Sequence, residues 1–314
     1  VPFLAETFGA VFPKEYADLA AVIDYGLAPG AEHLDISYGI ANPNTDYDVD
    51  TGLTFQGSWE LLGLFQATFN QRVVPGTGAS TPQGLVDFIG FMNDQVSFAY
   101  TGPDGAQLSY GGISQAGFDL YSGEGAVSPA CTANVAERFE LVIGEAGRGL
   151  DGLREAARRT KGDPAWSEVR GVVRDAAGAP LPGALVHVTG GAGYLTRDVA
   201  DDAGNYRVHV PPGETVTMFP QKRGYPKSEG VPVAPGTSAL DLDMAPNGFI
   251  RVTATVDGTA TPLPVRIQVI PTVLEPQTPS AFGTPDEENE RLHLEFAMTG
   301  DAPLAVPPGE HRVV

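Results

Sequence analysis

The chain has 314 residues, 18% of them charged and 9% aromatic, with 39 glycines and 27 prolines. That length admits two or three domains with cores of their own, and the turn-rich mix suits a β-rich globular protein rather than a disordered one. A formal net charge of −20 argues against nucleic acid or an anionic membrane surface as a partner, and there is no apolar run long enough to span a membrane.

Cys131 is the one cysteine, so no disulfide forms within the chain. Val1 opens the sequence without a signal-peptide pattern, so the start is read as a processing site or as a boundary set by choice.

The first segment, residues 1–163, reads as a β meander. "AVIDYGL" and "HLDISYGIA" alternate apolar and polar side chains, with "APGAE" as the turn between them. "VDFIGFMNDQVSFAYTG", "AQLSYGG" and "RFELVIGEA" continue the pattern. One helix is expected at "GLDGLREAARRT", where Leu150, Leu153, Ala156 and Ala157 fall at helical spacing and Asp151 sits near the positive end of the dipole. "KGDPAWSE" ends the helix and links it to the second segment.

The second segment, residues 169–245, alternates short β runs with Gly and Pro turns. "DAAGAPLPGA", "DDAGNY" and "VPPGE" are the connections, the pattern of a small β-sandwich. The third, residues 249–314, repeats it. "GFIRVTATVDGTATPLPVRIQVIP" parallels "VRGVVRDAAGAPLPGALVHVTG", and "VPPGE" recurs at Val306–Glu310 after Val210–Glu214. "LEPQTPSAFGTPDEENER" is an inserted exposed loop. In the first copy "SALDLDMA" comes next as a closing strand, whereas the second copy has no counterpart. The last sandwich is therefore expected to be incomplete, with an open edge. Either a second chain completes it or this chain is a fragment of a longer protein, and the fragment is the reading adopted.

"GVVRDAAGAPLPGALVHV", "DDAGNYRVHVPPGETVTM" and Tyr225 resemble the carboxypeptidase regulatory-like domain, a transthyretin-like seven-stranded sandwich. That resemblance implies a fold and no particular function. "VIDYGLAPGAEHLDISYGIANPN" with "RFELVIGEAGRGLDGLREAAR" looks like the N-terminal region of secreted metallohydrolases of the PHP superfamily, carbaryl-hydrolase-like (CehA/McbA) type. This resemblance implies a large mutarotase-like β-sandwich ahead of a regulatory-like module, with a zinc- or manganese-dependent catalytic domain coming last. The family's H-x-H metal clusters do not occur here, so no ligand is carried over.

Candidate sites are sparse. "NPNTDYDVDTG" sets Asp46, Asp48 and Asp50 at alternate positions. An EF-hand loop counted from Asp46 needs Gly at position 6 and Glu at position 12, where Thr51 and Gly57 stand. Two readings remain: an acidic solvent face of a strand with Tyr47, Val49 and Leu53 inward, or a weak calcium site. His33, His187, His209, His293 and His311 are scattered; His187 and His209 are expected to stand singly on the second sandwich's surface. His33 alone does not make an acid–base pair for sugar chemistry.

Cys131 has no histidine near it in sequence and is expected to be a buried or half-buried thiol. Glu60 and Asp87 form a carboxylate pair only if the fold joins them. "GTGASTPQG" lacks the lysine of a phosphate-binding loop. The aromatics Trp59, Phe65, Phe69, Phe88, Phe91, Phe98, Tyr100, Tyr110, Phe118 and Tyr121 are expected to be mostly core, with exposed ones able to stack on sugars.

The sequence thus describes a mostly-β, extracytoplasmic protein portion: a mutarotase-like sandwich followed by two transthyretin-like sandwiches, the last incomplete. It is expected to be non-catalytic and to support a C-terminal metal-dependent hydrolase domain outside this chain. By itself it is expected to hold no metal tightly beyond the weak calcium candidate. The alternative is a surface protein that binds polysaccharide or a protein partner.

Overall fold

The computed structural model describes residues 20–46, 48–50, 55–57, 63–66, 74–75, 84–92, 96–114, 117–121, 127–128, 130–191, 193–273 and 291–314. The fold is mostly β and its sheets are almost wholly antiparallel. It divides into two compact units, residues 1–71, 76–146 and 152–165, and residues 72–75, 147–151 and 166–314.

Before the helix the strands are β1 (Ala20–Gly26), β2 (His33–Asn42), β3 (Val49–Asp50), β4 (Phe55–Gly57), β5 (Gly63–Gln66) and β6 (Val74–Pro75). They continue with β7 (Gly84–Val86), β8 (Phe88–Met92), β9 (Ser97–Thr101), β10 (Leu108–Ser114), β11 (Gly117–Tyr121), β12 (Val127–Ser128) and β13 (Thr132–Ile143). The main sheet of the first unit runs β1-β2-β13-β9-β8-β5, and a second runs β4-β11-β10-β7.

The alternation read in "HLDISYGIA" has its cause here. β2 lies between β1, in register from Ala20↔Ala41 to Gly26↔Asp35, and β13, from Thr132↔Asn42 to Val142↔His33 with a bulge between Val135 and Glu137. Phe88, Ile89, Ala99, Phe139 and Val142 are buried.

Helix α1 (Gly149–Thr160) forms where the apolar spacing predicts it, and Leu150, Leu153, Ala156 and Ala157 are all buried. Asp151 in the first turn and Arg158 and Arg159 in the last suit the helix dipole. Gly144 brings the end of β13 close to α1. A Cβ there would meet Ser97 Oγ at 2.1 Å and Leu153 Cα at 2.9 Å.

The second unit contains β14 (Ser167–Arg174), β15 (Leu185–Gly190), β16 (Gly193–Val199), β17 (Asn205–Val210), β18 (Val216–Gln221), β19 (Val231–Val233) and β20 (Leu242–Asp243). These form two sheets, β17-β14-β20 and β16-β15-β18-β19. Between them lies one core that includes Val169, Val173, Val186, Val188, Tyr206 and Leu242. The turns work through aspartate side chains. Asp175 Oδ1 accepts the N–H groups of Ala177 and Ala179, and Asp201 Oδ1 those of Ala203 and Asn205.

The rest of the unit is β21 (Gly248–Thr253), β22 (Val265–Pro271), β23 (His293–Ala297), β24 (Asp301–Val306) and β25 (His311–Val313). It pairs as β21-β24 and β23-β22-β25 around a smaller core of Ile267, Val269, Leu292, Ala297, Ala302, Leu304 and Val306.

Candidate functional site

The repeat can be aligned by hydrogen bonds. Val173 N–H donates to Gly204 O at 2.9 Å, and Val173 O accepts Leu181 N–H at 2.9 Å. Ala254 repeats both, with Gly300 O at 2.7 Å and Leu263 N–H at 3.0 Å. Counting back along each strand, Arg170 corresponds to Arg251, Gly171 to Val252 and Val172 to Thr253.

The outer edge of β14 is closed. Arg170 N–H donates to Ser238 O at 3.0 Å, and Arg170 O accepts Leu240 N–H at 2.8 Å. Val172 N–H reaches Asp241 Oδ1 at 2.9 Å. β20 then runs parallel to β14, at Val173↔Leu242 and Arg174↔Asp243, and carries Leu242 and Met244 into the core. Gly171 makes this overpass feasible: a Cβ there would lie 1.7 Å from Leu240 O.

The outer edge of β21 is different. Among the described residues β21 pairs with β24 and with no other strand. Ile250 is half-buried, whereas its counterpart Val169 is fully buried; Val252 is half-buried, as its counterpart Gly171 is; and Phe249 is 70% exposed. On the solvent face Arg251 Nε and Nη2 hold Asp301 at 2.9 and 2.8 Å, a diagonal cross-strand pair. The Arg251 hydrogen bond keeps the Asp301 carboxyl below its ordinary range. A strand edge with unpaired N–H and C=O groups is a template for another strand.

The second sandwich also carries a buried polar network. Asp151 Oδ2 lies 2.7 Å from His209 Nδ1, while Asp151 Oδ1 accepts His209 N–H at 2.9 Å and the Thr196 hydroxyl at 3.2 Å. Asp198 Oδ2 pairs with Arg148 Nη1 at 2.9 Å and accepts Arg207 N–H at 2.7 Å. Burial pushes the Asp198 carboxyl up to about 7, with Arg148 opposing and Asp151 adding. Glu168 lies 3.8 Å from His209 Nε2, and its carboxyl is held low, chiefly by the hydrogen bond from Arg170. These contacts tie residues 148–151 to β16 and β17, although among the described residues buried Asp198 Oδ1 and Arg148 Nε have no hydrogen-bond partner.

The expectation that His187 and His209 stand singly on the surface is overturned. His187 is completely buried on β15, its Nδ1 2.9 Å from Tyr194 Oη across the hairpin, and burial keeps the ring neutral well below the usual histidine range. His209 belongs to the network just described. His293 Nε2 donates to Ala305 O at 2.6 Å and His311 Nε2 to Pro307 O at 2.8 Å. Cys131 is also corrected. It is exposed, with φ of 58° and Sγ 3.5 Å from Asn44 O, because the chain turns sharply into β13 there.

Asp46 and Asp48 are exposed, and Asp48 Oδ1 accepts Ala130 N–H at 3.0 Å. β3 pairs with β12 at Val127↔Asp50 and Ser128↔Val49. Tyr47, Leu53, Glu60 and Trp59, and the side chain of Asp50, lie outside the described residues. Asp87 is held by Lys161 Nζ at 3.1 Å. Of the aromatics, Phe88 is buried, and Phe98 meets Tyr100 edge to face at 6.1 Å. Phe69 and the side chains of Phe65, Phe91, Tyr110, Phe118 and Tyr121 lie outside the described residues.

The fold defines a class: a mostly antiparallel β-sandwich protein. The module is identifiable. Residues 168–247 match the family model of the carboxypeptidase regulatory-like domain.

No curated protein matches the chain. Among solved structures it is similar to catechol 1,2-dioxygenase from Pseudomonas arvilla C-1, at 16% identity and a TM-score of 0.22, over 26% of this chain and 53% of that one. It is also similar to the Bacillus anthracis TIE protein, at 12% identity and a TM-score of 0.23, over 94% of this chain and 51% of that one. A streptococcal ancillary pilin aligns at 12% identity with a TM-score of 0.25, over 69% and 64%. The alignments therefore span about half the length of the first two. TM-scores of this size carry no argument about fold or function. Among the described residues no helix is long and apolar enough to cross a membrane.

Proposed function

We propose that this chain is a non-catalytic β-sandwich portion of an extracytoplasmic protein, and that its third sandwich accepts a strand from a polypeptide segment outside these residues. The observation that supports this is the contrast between two equivalent strands. β14 has its outer edge filled by the Ser238–Met244 segment, and β21 has no such neighbour among the described residues.

By analogy with the filled edge, the occupant is a segment of alternating apolar residues, running parallel to β21, that places two large side chains over Ile250 and Val252. It must pass more straightly than Leu240 does, because Val252 replaces Gly171. Burying two residues of the size of Leu242 and Met244 favours docking by roughly 3–6 kcal/mol before ordering costs. The resemblance noted from the sequence points to a metal-dependent hydrolase domain as the owner of that strand. The sandwiches then hold and orient it.

The test uses the chain with a labelled nine-residue peptide of the sequence Thr237–Ala245 as surrogate strand. Saturable binding in fluorescence anisotropy is expected, together with slowed hydrogen exchange at the Arg251 amide. A peptide with aspartate in place of its last leucine and its methionine should not bind. Equal binding of both peptides, or none, with a slow Arg251 amide in the unliganded chain, would refute the proposal.

A further inference from the structure

A second site lies in the first unit and has no part in strand acceptance. His33 and Asp35 are two residues apart on β2 and so share a face, and β13 places Glu140 directly opposite Asp35. One donor atom from each of the three, a His33 ring nitrogen and one oxygen from each carboxylate, lies within 4.8 Å of the other two. His33 Nε2 is 3.5 Å from Asp35 Oδ1.

Glu140 is 6% exposed and fixed in place: its Oε2 accepts the Thr101 hydroxyl at 3.1 Å and its Oε1 the Asp104 N–H at 3.1 Å. Each oxygen keeps a lone pair for another partner. Gly26, opposite Asp35 on β1, has no side chain to cover that carboxylate.

The charge balance is what makes this group unusual. Among the described residues no lysine or arginine pairs with Asp35 or Glu140, although Glu32 and Asp87 nearby in sequence or sheet each have one. Two facing carboxylates, one of them buried, with no lysine or arginine beside either, make a setting that a divalent ion stabilises.

We propose that His33, Asp35 and Glu140 bind one divalent transition-metal ion, of which zinc best matches one imidazole nitrogen and two carboxylate oxygens. Three protein ligands leave a fourth position for water. Zinc–ligand distances of about 2.1 Å bring donors to roughly 3.4 Å from one another. His33 and Asp35, with side chains 27% and 59% exposed, are free to rotate by that amount while Glu140 stays fixed. The ion ties β2 to β13 at the end of the main sheet. It is a site that the sequence-based expectation of no tight metal binding does not include.

The experiment strips the chain with chelator and titrates zinc against a chromophoric competitor. One equivalent should bind to the wild type. His33→Ala and Asp35→Asn, both surface changes that leave the circular dichroism spectrum intact, should each weaken binding at least tenfold. Asp46→Asn should leave it unchanged. Cobalt in place of zinc should give visible bands that the His33→Ala chain lacks. Binding of no zinc by the wild type, or equal binding by wild type, His33→Ala and Asp35→Asn, would overturn the proposal.

Discussion

Asp198 gives the sharpest perturbation. Its side chain is completely buried, and burial raises the carboxyl from the ordinary 3.8 to about 7, even with Arg148 2.9 Å away. A carboxyl raised in this way supports the folded state fully while protonated, below about pH 3.8, and that support is lost as pH rises through about 7. The interval of about three pH units corresponds to roughly 4 kcal/mol at 1.36 kcal/mol per unit.

Asp198→Asn removes the titration and keeps the shape. The stability of the variant minus that of the wild type should therefore rise by up to about 4 kcal/mol between pH 4 and pH 8. Contributions from His209, Glu168 and other groups largely cancel in the difference. Urea unfolding followed by fluorescence of Trp166, which packs against the second sandwich's core, measures it. A difference that stays flat over this range would refute the assignment of a buried, late-titrating carboxyl at position 198.

Two further outcomes are expected in the same sandwich. Gly171→Val should lower stability by at least about 1–3 kcal/mol, because the new side chain meets Leu240 O and must displace the segment that closes β14. Thermal unfolding measures this, and an unchanged midpoint would contradict the overpass. Tyr194→Phe removes the 2.9 Å contact to buried His187 and should cost about 1–3 kcal/mol in urea unfolding, with little change in the far-ultraviolet spectrum.

Much of the fold was legible in the sequence because the physics behind it is local. Period-two alternation reports a strand with one buried face, and "HLDISYGIA" is such a strand, β2. Helical spacing at Leu150, Leu153, Ala156 and Ala157 reports a helix with one buried face, α1. Asp175 and Asp201 make turns with amides two and four residues on, so "DAAGAP" and "DDAGNY" carry their own instructions.

The groupings that depend on pairing across the fold were not legible. His209 meets Asp151 only because β17 passes the first turn of α1. His187 is buried because β15 lies between β16 and β18, and it meets Tyr194 diagonally across a hairpin. Glu140 faces Asp35 because β13 pairs beside β2 with a bulge in its register, which no local pattern announces. The repeat was the exception. Two copies of one motif can be aligned from the sequence alone, and the equivalent hydrogen bonds of Val173 and Ala254 follow that alignment.

The central claim is that this edge of β21 is open. Site-resolved hydrogen exchange on the chain tests it most directly by comparing two equivalent amides, Arg170 and Arg251. The Arg170 amide, bonded to Ser238 O, should be protected, and the Arg251 amide should exchange orders of magnitude faster. Equal, strong protection at both positions would contradict it, since β21 would then already have its strand.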